Sequence, residues 1–259
     1  MHLYAAAPSL TNMKRLIAFD LDGTLAVSKQ ALDDDMARRI AGLLDICPVC
    51  VISGGDWPQF KTQVVDRLPA GARLDHLILM PTTGAKYYRF VGDWRQVYAE
   101  TLSDDQRRRV FAALKAAVEQ AGLAHERTWG DQIEDRGSQI TFSGLGQKAP
   151  PDAKDKWDPD RKKRGVLKAV LDKALPDLSV HIGGATSIDI TQPGVDKGYG
   201  MHRLSEQTGV PLNEMMFVGD ALYPGGNDAP ARDAGVPTVG VKTIDDTRIL
   251  IGAIVTFAG

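Results

Sequence analysis

An α/β protein, in which a parallel sheet is interrupted by an inserted α+β unit, is the fold class that three features of the sequence predict. Short apolar runs alternate with amphipathic helical stretches towards both ends of the chain, as in parallel sheets covered on both faces. Between these ends, strand-like runs follow one another with only a few helices. Several of the outer apolar runs also stop at Asp, Ser or Gly, and open α/β sheets place their ligands at such carboxyl ends.

Each element has a local reason. Ile17-Ala18-Phe19 ends at Asp20, and Gly23 lets the chain bend away from the sheet. Met36, Ile40, Leu43 and Leu44 give the next stretch one apolar face at helical spacing. Val49–Ile52 reads as a second strand ending in Ser53-Gly54-Gly55, and His76–Met80 as a third. After Thr83-Gly84 the pattern changes. Tyr87–Val91 and Trp94–Tyr98 flank Gly92-Asp93 as a two-residue hairpin. Ser103 with Gln106 fits a capping box, Val110, Leu114, Val118 and Ala121 share a face, and Gly122 ends that helix. Gln132–Asp135 and Gln139–Ser143 read as paired strands, 146–159 as a polar loop, and 161–174 as a helix. Strands at Leu178–Ile182 and Ser187–Thr191 complete the block. From Asp196 the alternation returns, with strands at Met215–Gly219 and Thr238–Val241. The expected division is a core of residues 13–83 and 188–259 and an insertion of residues 84–187.

Composition narrows the function classes. The 259 residues suffice for one large domain or two smaller ones, and 43% hydrophobic with 25% charged residues is ordinary for a globular protein. A formal charge of −2 and a pI near 6.2 give no broad cationic footprint for nucleic acid. Arg161-Lys162-Lys163-Arg164 reads as a solvated helix start rather than a nucleic-acid contact. No apolar run is long enough to cross a bilayer. Residues 1–12 lack a signal-peptide pattern and read as an extension ahead of Met13-Lys14-Arg15. The expectation is a cytoplasmic enzyme without nucleic-acid or membrane partners, with a homodimer left open. Cys47-Pro48-Val49-Cys50 could be a redox pair or half a zinc site. No further cysteine completes a zinc site, and Cys50 falls inside a strand, so buried, inert thiols are expected.

Four separated segments carry chemistry. Asp20 and Asp22 stand one residue apart at a strand end, where a carboxylate can attack phosphorus; alone, they could equally be a turn. Ser53-Gly54-Gly55 offers a hydroxyl and small residues to a phosphate. Asp196-Lys197-Gly198 brings an ammonium to a helix start, where backbone N–H groups also favour an anion. Lys197 by itself would pass for a solvated helix residue. Asp220 ends another strand, and Gly225-Gly226-Asn227-Asp228 follows it. Carboxylates clustered around a phosphate suggest Mg²⁺, a hard ion that prefers oxygen ligands.

In this order the four segments resemble the motifs of the haloacid dehalogenase (HAD) superfamily of phosphatases and phosphomutases. The resemblance implies a Rossmann-like core with a C2-type cap inserted between the second and third motifs. It implies Asp20 as nucleophile and Asp22 as general acid/base. Ser53, Gly54 and Lys197 would hold the transferring phosphate. Asp20, the Asp22 carbonyl and Asp220 would face Mg²⁺, with Asp228 as a further ligand or a support beside it.

A narrower resemblance lies in the insertion. Gly183-Gly184, Ser187-Ile188-Asp189, Gly194-Val195-Asp196-Lys197 and Glu134-Asp135-Arg136 look like segments of the eukaryotic-type phosphomannomutase branch. That implies Arg136, Ser187 and Asp189 reach substrate from the cap, with the Arg136 fork gripping a distal phosphate. Ser187 and Asp189 could equally be the outward positions of a half-buried strand. The chain also departs from that branch. Gln147 stands where a second arginine is usual, with Lys148 beside it; Lys29 replaces another arginine, and Val195 a tryptophan. Arginine-to-glutamine loses charge and fork geometry together. The sequence therefore favours a Mg²⁺-dependent phosphatase acting on a sugar phosphate through an aspartyl phosphate. The alternatives are a phosphomannomutase using a 1,6-bisphosphate, and a non-catalytic sugar-phosphate binding protein.

Overall fold

The structure, a computed structural model, describes residues 14–258, and the extension expected at residues 1–12 lies outside them. In chain order the strands and helices begin β1 (Leu16–Phe19), α1 (Asp34–Ile46), β2 (Val49–Ile52), α2 (Trp57–Gln63), β3 (Leu77–Met80), β4 (Lys86–Phe90) and β5 (Trp94–Ala99). They continue with α3 (Asp104–Gln120), β6 (Ile133–Asp135), β7 (Gln139–Ser143), α4 (Pro151–Trp157), α5 (Lys162–Ala174), β8 (Ser179–Ile182) and β9 (Ser187–Thr191). The chain closes with α6 (Lys197–Thr208), β10 (Met215–Gly219), α7 (Ala229–Asp233), β11 (Thr238–Gly240) and α8 (Ile244–Ala258).

Two sheets result. The larger has the order β11-β10-β1-β2-β3-β4-β5, parallel from β11 to β3 and antiparallel at β4 and β5. Its central strands β1, β2 and β3 are buried on both faces and alternate between two cores. Ile17, Phe19, Val49, Val51, Leu77 and Leu79 pack with the α1 residues Met36, Ile40 and Leu43. Leu16, Ala18, Cys50, Ile52, Ile78 and Met80 pack with Met201 and Leu204 of α6. Each fully buried Leu or Ile contributes about 1.5–3 kcal/mol relative to exposure. Both cysteines are free and buried within these cores, and burial raises both thiol pKa values, that of Cys47 to about 11.

The smaller sheet is antiparallel, with the order β6-β7-β9-β8. Ile140, Phe142, Ile188 and Ile190 pack onto Val110 and Leu114 of α3 and Leu167 and Leu171 of α5. The capping box expected at Ser103 and Gln106 is formed in full.

The structure corrects both boundaries of the insertion. The aromatic hairpin does not belong to it. β4 pairs with the free edge of β3 through Ile78↔Arg89 and Leu79↔Tyr88, extending the large sheet. Tyr87 is fully buried, and Tyr88 stacks on Trp57 of α2 with ring centroids 4.3 Å apart. At the other end β9 pairs with β7 from Gln139↔Thr191 to Ser143↔Ser187, so Ile188–Thr191 belongs to the small sheet. The inserted helices and strands thus run over 104–191 rather than 84–187.

Two local expectations also change. The supposed polar loop contains α4, whose Trp157 packs where Gly144 leaves room for the ring. The basic cluster at the start of α5 is only partly solvated. Arg164 is 4% exposed, pairs with Asp158 at 2.8 Å and donates to the Gly184 carbonyl. Among the described residues, no helix is long and apolar enough to cross a membrane.

Candidate active site

β1 lies between β10 and β2, so the segments that leave their carboxyl ends are neighbours. That register gathers Asp20, Ser53 and Asp220 at one edge of the sheet. The Asp20 amide continues the ladder by donating to the Val218 carbonyl at 2.9 Å. The chain then turns, with the amides of Leu25 and Ala26 both donating to the Leu21 carbonyl. Gly23 makes this turn possible for two reasons. Its φ is +89°, and a Cβ there would lie 2.6 Å from Asp220 Oδ2.

Lys197 begins α6, whose N-cap Asp196 accepts from the Tyr199 amide at 2.8 Å. Its Nζ donates to Asp20 Oδ1 at 2.5 Å and also to Asp228 Oδ1. The other Asp228 oxygen accepts from the Ala221 amide at 2.9 Å. The three side chains are 1%, 4% and 0% exposed for Lys197, Asp20 and Asp228. Burial pushes the Asp20 carboxyl up to about 7, with Lys197 opposing that rise and Asp228 and Asp220 adding to it. Burial works to lower the Lys197 pKa, but Asp20 and Asp228 more than offset it and hold the ammonium charged. Asp220 is also raised, by burial and then by Asp228.

Oxygens of Asp20, Asp220 and Asp228 lie within 4.8 Å of one another. This all-carboxylate set suits a hard divalent cation. Within it, both Asp228 oxygens already take hydrogen bonds, which makes Asp20 and Asp220 the better-placed side chains. The Asp22 carboxylate is not in the set. It points to the following loop and accepts from the Lys29 amide at 2.6 Å.

Ser53 is buried, and its carbonyl accepts from the Thr83 amide at 2.9 Å. Thr82 and Thr83, with φ of 49° and 58°, hold a left-handed turn against the Ser53–Gly55 loop. Such strain in non-glycine residues persists where surrounding structure over-determines it. The Gly54 carbonyl accepts from Arg136 Nη1 and, at 3.3 Å, from Gln139 Nε2. The cap strands therefore lie directly on the loop expected to hold phosphate.

Among the cap residues singled out from sequence, Arg136 also donates to Glu134 at 2.6 Å. Asp189 Oδ1 accepts from Gln139 Nε2 at 2.9 Å and Thr141 Oγ1 at 2.7 Å. Ser187 stands opposite Ser143 on the same polar face. Gln147 touches the core, its Oε1 accepting from Lys29 Nζ at 3.4 Å. Nearby Lys154 is pushed down to about 8 by burial and the Lys29 charge, with Asp22 pulling the other way. Sequence reasoning did not single out Gln139, Thr141 or Lys154. The alternation of Gln139, Thr141 and Ser143 with Ile140 and Phe142 was the available signal for the first two.

A strand-end aspartate paired with a lysine and flanked by two further aspartates, beneath an inserted cap, defines a HAD-type phosphoryl-transfer enzyme. A family profile described as eukaryotic phosphomannomutase matches residues 39–256, and the chain belongs to that family. The matched span holds Ser53, the cap, Lys197, Asp220 and Asp228, and begins after Asp20 and Asp22. The chain is 26% identical over 231 residues to a phosphomannomutase of Spinacia oleracea, covering 86% of each chain. It is 24% identical over 219 residues to a phosphomannomutase of Saccharomyces cerevisiae, covering 82% of this chain and 83% of the relative. An IMP-bound, N-terminally truncated IMP-nucleotidase of Plasmodium falciparum shares the fold with a TM-score of 0.69 at 14% identity, covering 96% of this chain and 70% of that one. A trehalose-6-phosphate phosphatase of Aspergillus fumigatus shares it with a TM-score of 0.54 at 19% identity, covering 94% and 93%.

Proposed function

We propose that the chain is a Mg²⁺-dependent hexose-phosphate mutase of the phosphomannomutase type, working through an aspartyl phosphate on Asp20. The observation that carries the phosphoryl-transfer part is the buried contact of Lys197 with Asp20, beside Asp220 and Asp228. Similarity to phosphomannomutases over most of the chain supports the mutase over the phosphatase favoured by sequence alone.

Asp20 supplies the attacking oxygen, and the bond from phosphorus to the leaving sugar oxygen breaks in line. Lys197 offsets the charge of the phosphoryl group and of Asp20. Asp22 gives its proton to the departing alkoxide, then removes one from the hydroxyl that attacks the aspartyl phosphate. Asp20, the Asp22 carbonyl and Asp220 would hold Mg²⁺, which when bound neutralises charge on the transferring phosphoryl group. In a mutase the second attacking hydroxyl belongs to the sugar; in a phosphatase it is water. Ser53 and Gly54 bind the phosphate, while Arg136, Ser187 and Asp189 face the sugar from the cap.

One observation favours a phosphatase as the second reading. Gln147, at a position where the branch usually has arginine, engages Lys29 and brings no charge of its own. Mannose 1-phosphate with Mg²⁺ and a trace of hexose 1,6-bisphosphate separates the readings. Mannose 6-phosphate identifies the mutase, and free mannose with inorganic phosphate identifies the phosphatase. Binding of the sugar phosphate without either product identifies a non-catalytic protein and overturns the proposal.

A further inference from the structure

The small sheet turns an unusual face to the core domain. Gln139, Thr141 and Ser143 of β7 lie opposite Thr191, Asp189 and Ser187 of β9. These six side chains are polar, yet Gln139 and Ser143 are fully buried, and Thr141 is 3% exposed. A polar face kept away from water costs free energy unless its groups are paired.

Gln139 is paired on one side only. Its Nε2 lies 2.9 Å from Asp189 Oδ1, 2.9 Å from Thr141 Oγ1 and 3.3 Å from the Gly54 carbonyl. Its Oε1 is buried without a hydrogen-bond partner. Such an atom costs about 1–3 kcal/mol, a penalty a similarly sized methionine would not incur. The amide therefore leaves one acceptor unpaired while its Nε2 serves Asp189, Thr141 and the Gly54 carbonyl.

What the amide holds is one oxygen of Asp189. Oδ1 receives Gln139 and Thr141 together. Oδ2 receives no hydrogen bond among the described residues and lies between two glycines. A Cβ on Gly183 of the cap would sit 2.6 Å from it, and a Cβ on Gly54 of the core 3.8 Å. Oδ2 thus packs where a Gly183 side chain would otherwise stand, and on its other side it faces Gly54, in the loop expected to hold phosphate.

We propose that Gln139 is a specificity-determining positioning residue: with Thr141 it fixes Asp189 so that Oδ2 accepts a hydroxyl of a hexose phosphate whose phosphate rests against Ser53 and Gly54. The proposal rests on the hexose-phosphate reading above. Gln139 acts through Asp189 and does not touch the transferring phosphoryl group. Its loss therefore affects recognition of the sugar and spares recognition of phosphate.

Calorimetric titration of the full chain in Mg²⁺, with mannose 1-phosphate and separately with inorganic phosphate, tests this. Gln139→Met should weaken mannose 1-phosphate about tenfold, the worth of one good hydrogen bond, while inorganic phosphate binds as in the wild type. Gly183→Ala, which puts a methyl group against Oδ2 from outside the Gln139 network, should give the same split. Equal weakening of both ligands would mean Gln139 serves only to build the cap, and an unchanged mannose 1-phosphate affinity in Gln139→Met would mean that Asp189 needs no such support. Either result overturns the proposal. A wild-type protein that binds inorganic phosphate but no hexose phosphate would instead overturn the functional reading on which it rests.

Discussion

Lys197 donates to Asp20 at 2.5 Å across 177 residues of sequence, with both side chains almost fully buried. A third buried group, Asp228, shares the same ammonium, so one cation serves two carboxylates. Removing it leaves both without their partner. Lys197→Met should lower kcat by about 10²–10³-fold, the range for losing one preorganised stabilising group. It should also lower stability by about 3–5 kcal/mol, the usual result of breaking a buried pair from one side. Steady-state kinetics and urea unfolding measure both, and a near-wild-type kcat would remove Lys197 from the transfer step.

Asp20→Asn keeps the volume of the side chain and its place at the end of β1 but removes the anionic nucleophile. Turnover of hexose phosphate should vanish while the circular dichroism spectrum stays that of the wild type. Full activity in the variant would place the nucleophile elsewhere.

Gly23→Ala tests the joint between the first and last acidic segments. The substitution forces an L-residue to a φ of +89° and drives its Cβ to 2.6 Å from Asp220 Oδ2. The left-handed conformation alone costs about 1–2 kcal/mol. Because Asp220 must move, the Mg²⁺ concentration giving half-maximal activity should rise more than KM for the sugar phosphate. A variant that loses thermal stability but keeps its Mg²⁺ dependence would separate the turn from the metal site.

The core and the meeting of the candidate site's carboxylates are legible because strand ends carry their own signals. An apolar run stopping at Asp20, Ser53 or Asp220 marks both the strand and the ligand edge, and parallel neighbours bring such ends together. The hairpin at Tyr87–Tyr98 was misplaced because a two-strand pattern says nothing of which sheet receives it. Its destination is decided by the open edge of β3 and by the fit of Tyr88 on Trp57, contacts remote in sequence. The same limit hid Gln139. Alternation within β7 shows that it opposes Ile140 and Phe142, but only the cap's seat on Gly54 shows what it meets. The family resemblance has Arg136 reach substrate from the cap and grip a distal phosphate; in the structure its fork donates to the Gly54 carbonyl and Glu134. A fork of donors in the sequence carries no record of which acceptor it finds.

The buried pair of Asp158 and Arg164 links the start of α5 to the Gly183-Gly184 turn. Arg164 donates from Nε and from its backbone amide to Asp158 Oδ2, and its Nη1 donates to the Gly184 carbonyl, next to the glycine that borders Asp189. Burial works to raise the Asp158 pKa, but the Arg164 side chain and the backbone amides of Arg164 and Lys163 more than offset it. The folded-state pKa therefore lies below the ordinary 3.8. A depressed carboxylate adds stability that is fully present above the unfolded-state pKa and is lost as pH falls through the folded-state value. Asp158→Asn should then cost about 3–5 kcal/mol near neutral pH, because Arg164 stays buried without its counter-charge. Below pH 3.8 the gap between variant and wild type should narrow as Asp158 itself takes a proton. Replacing both residues together, as Asp158→Leu with Arg164→Met, removes the stranded charge and should recover most of the loss. Thermal unfolding of the three variants and the wild type between neutral and acid pH reads out all of these. A pH-independent gap in Asp158→Asn, or a double variant no better than the single one, would mean that the pair is not what ties α5 to the Gly183-Gly184 turn.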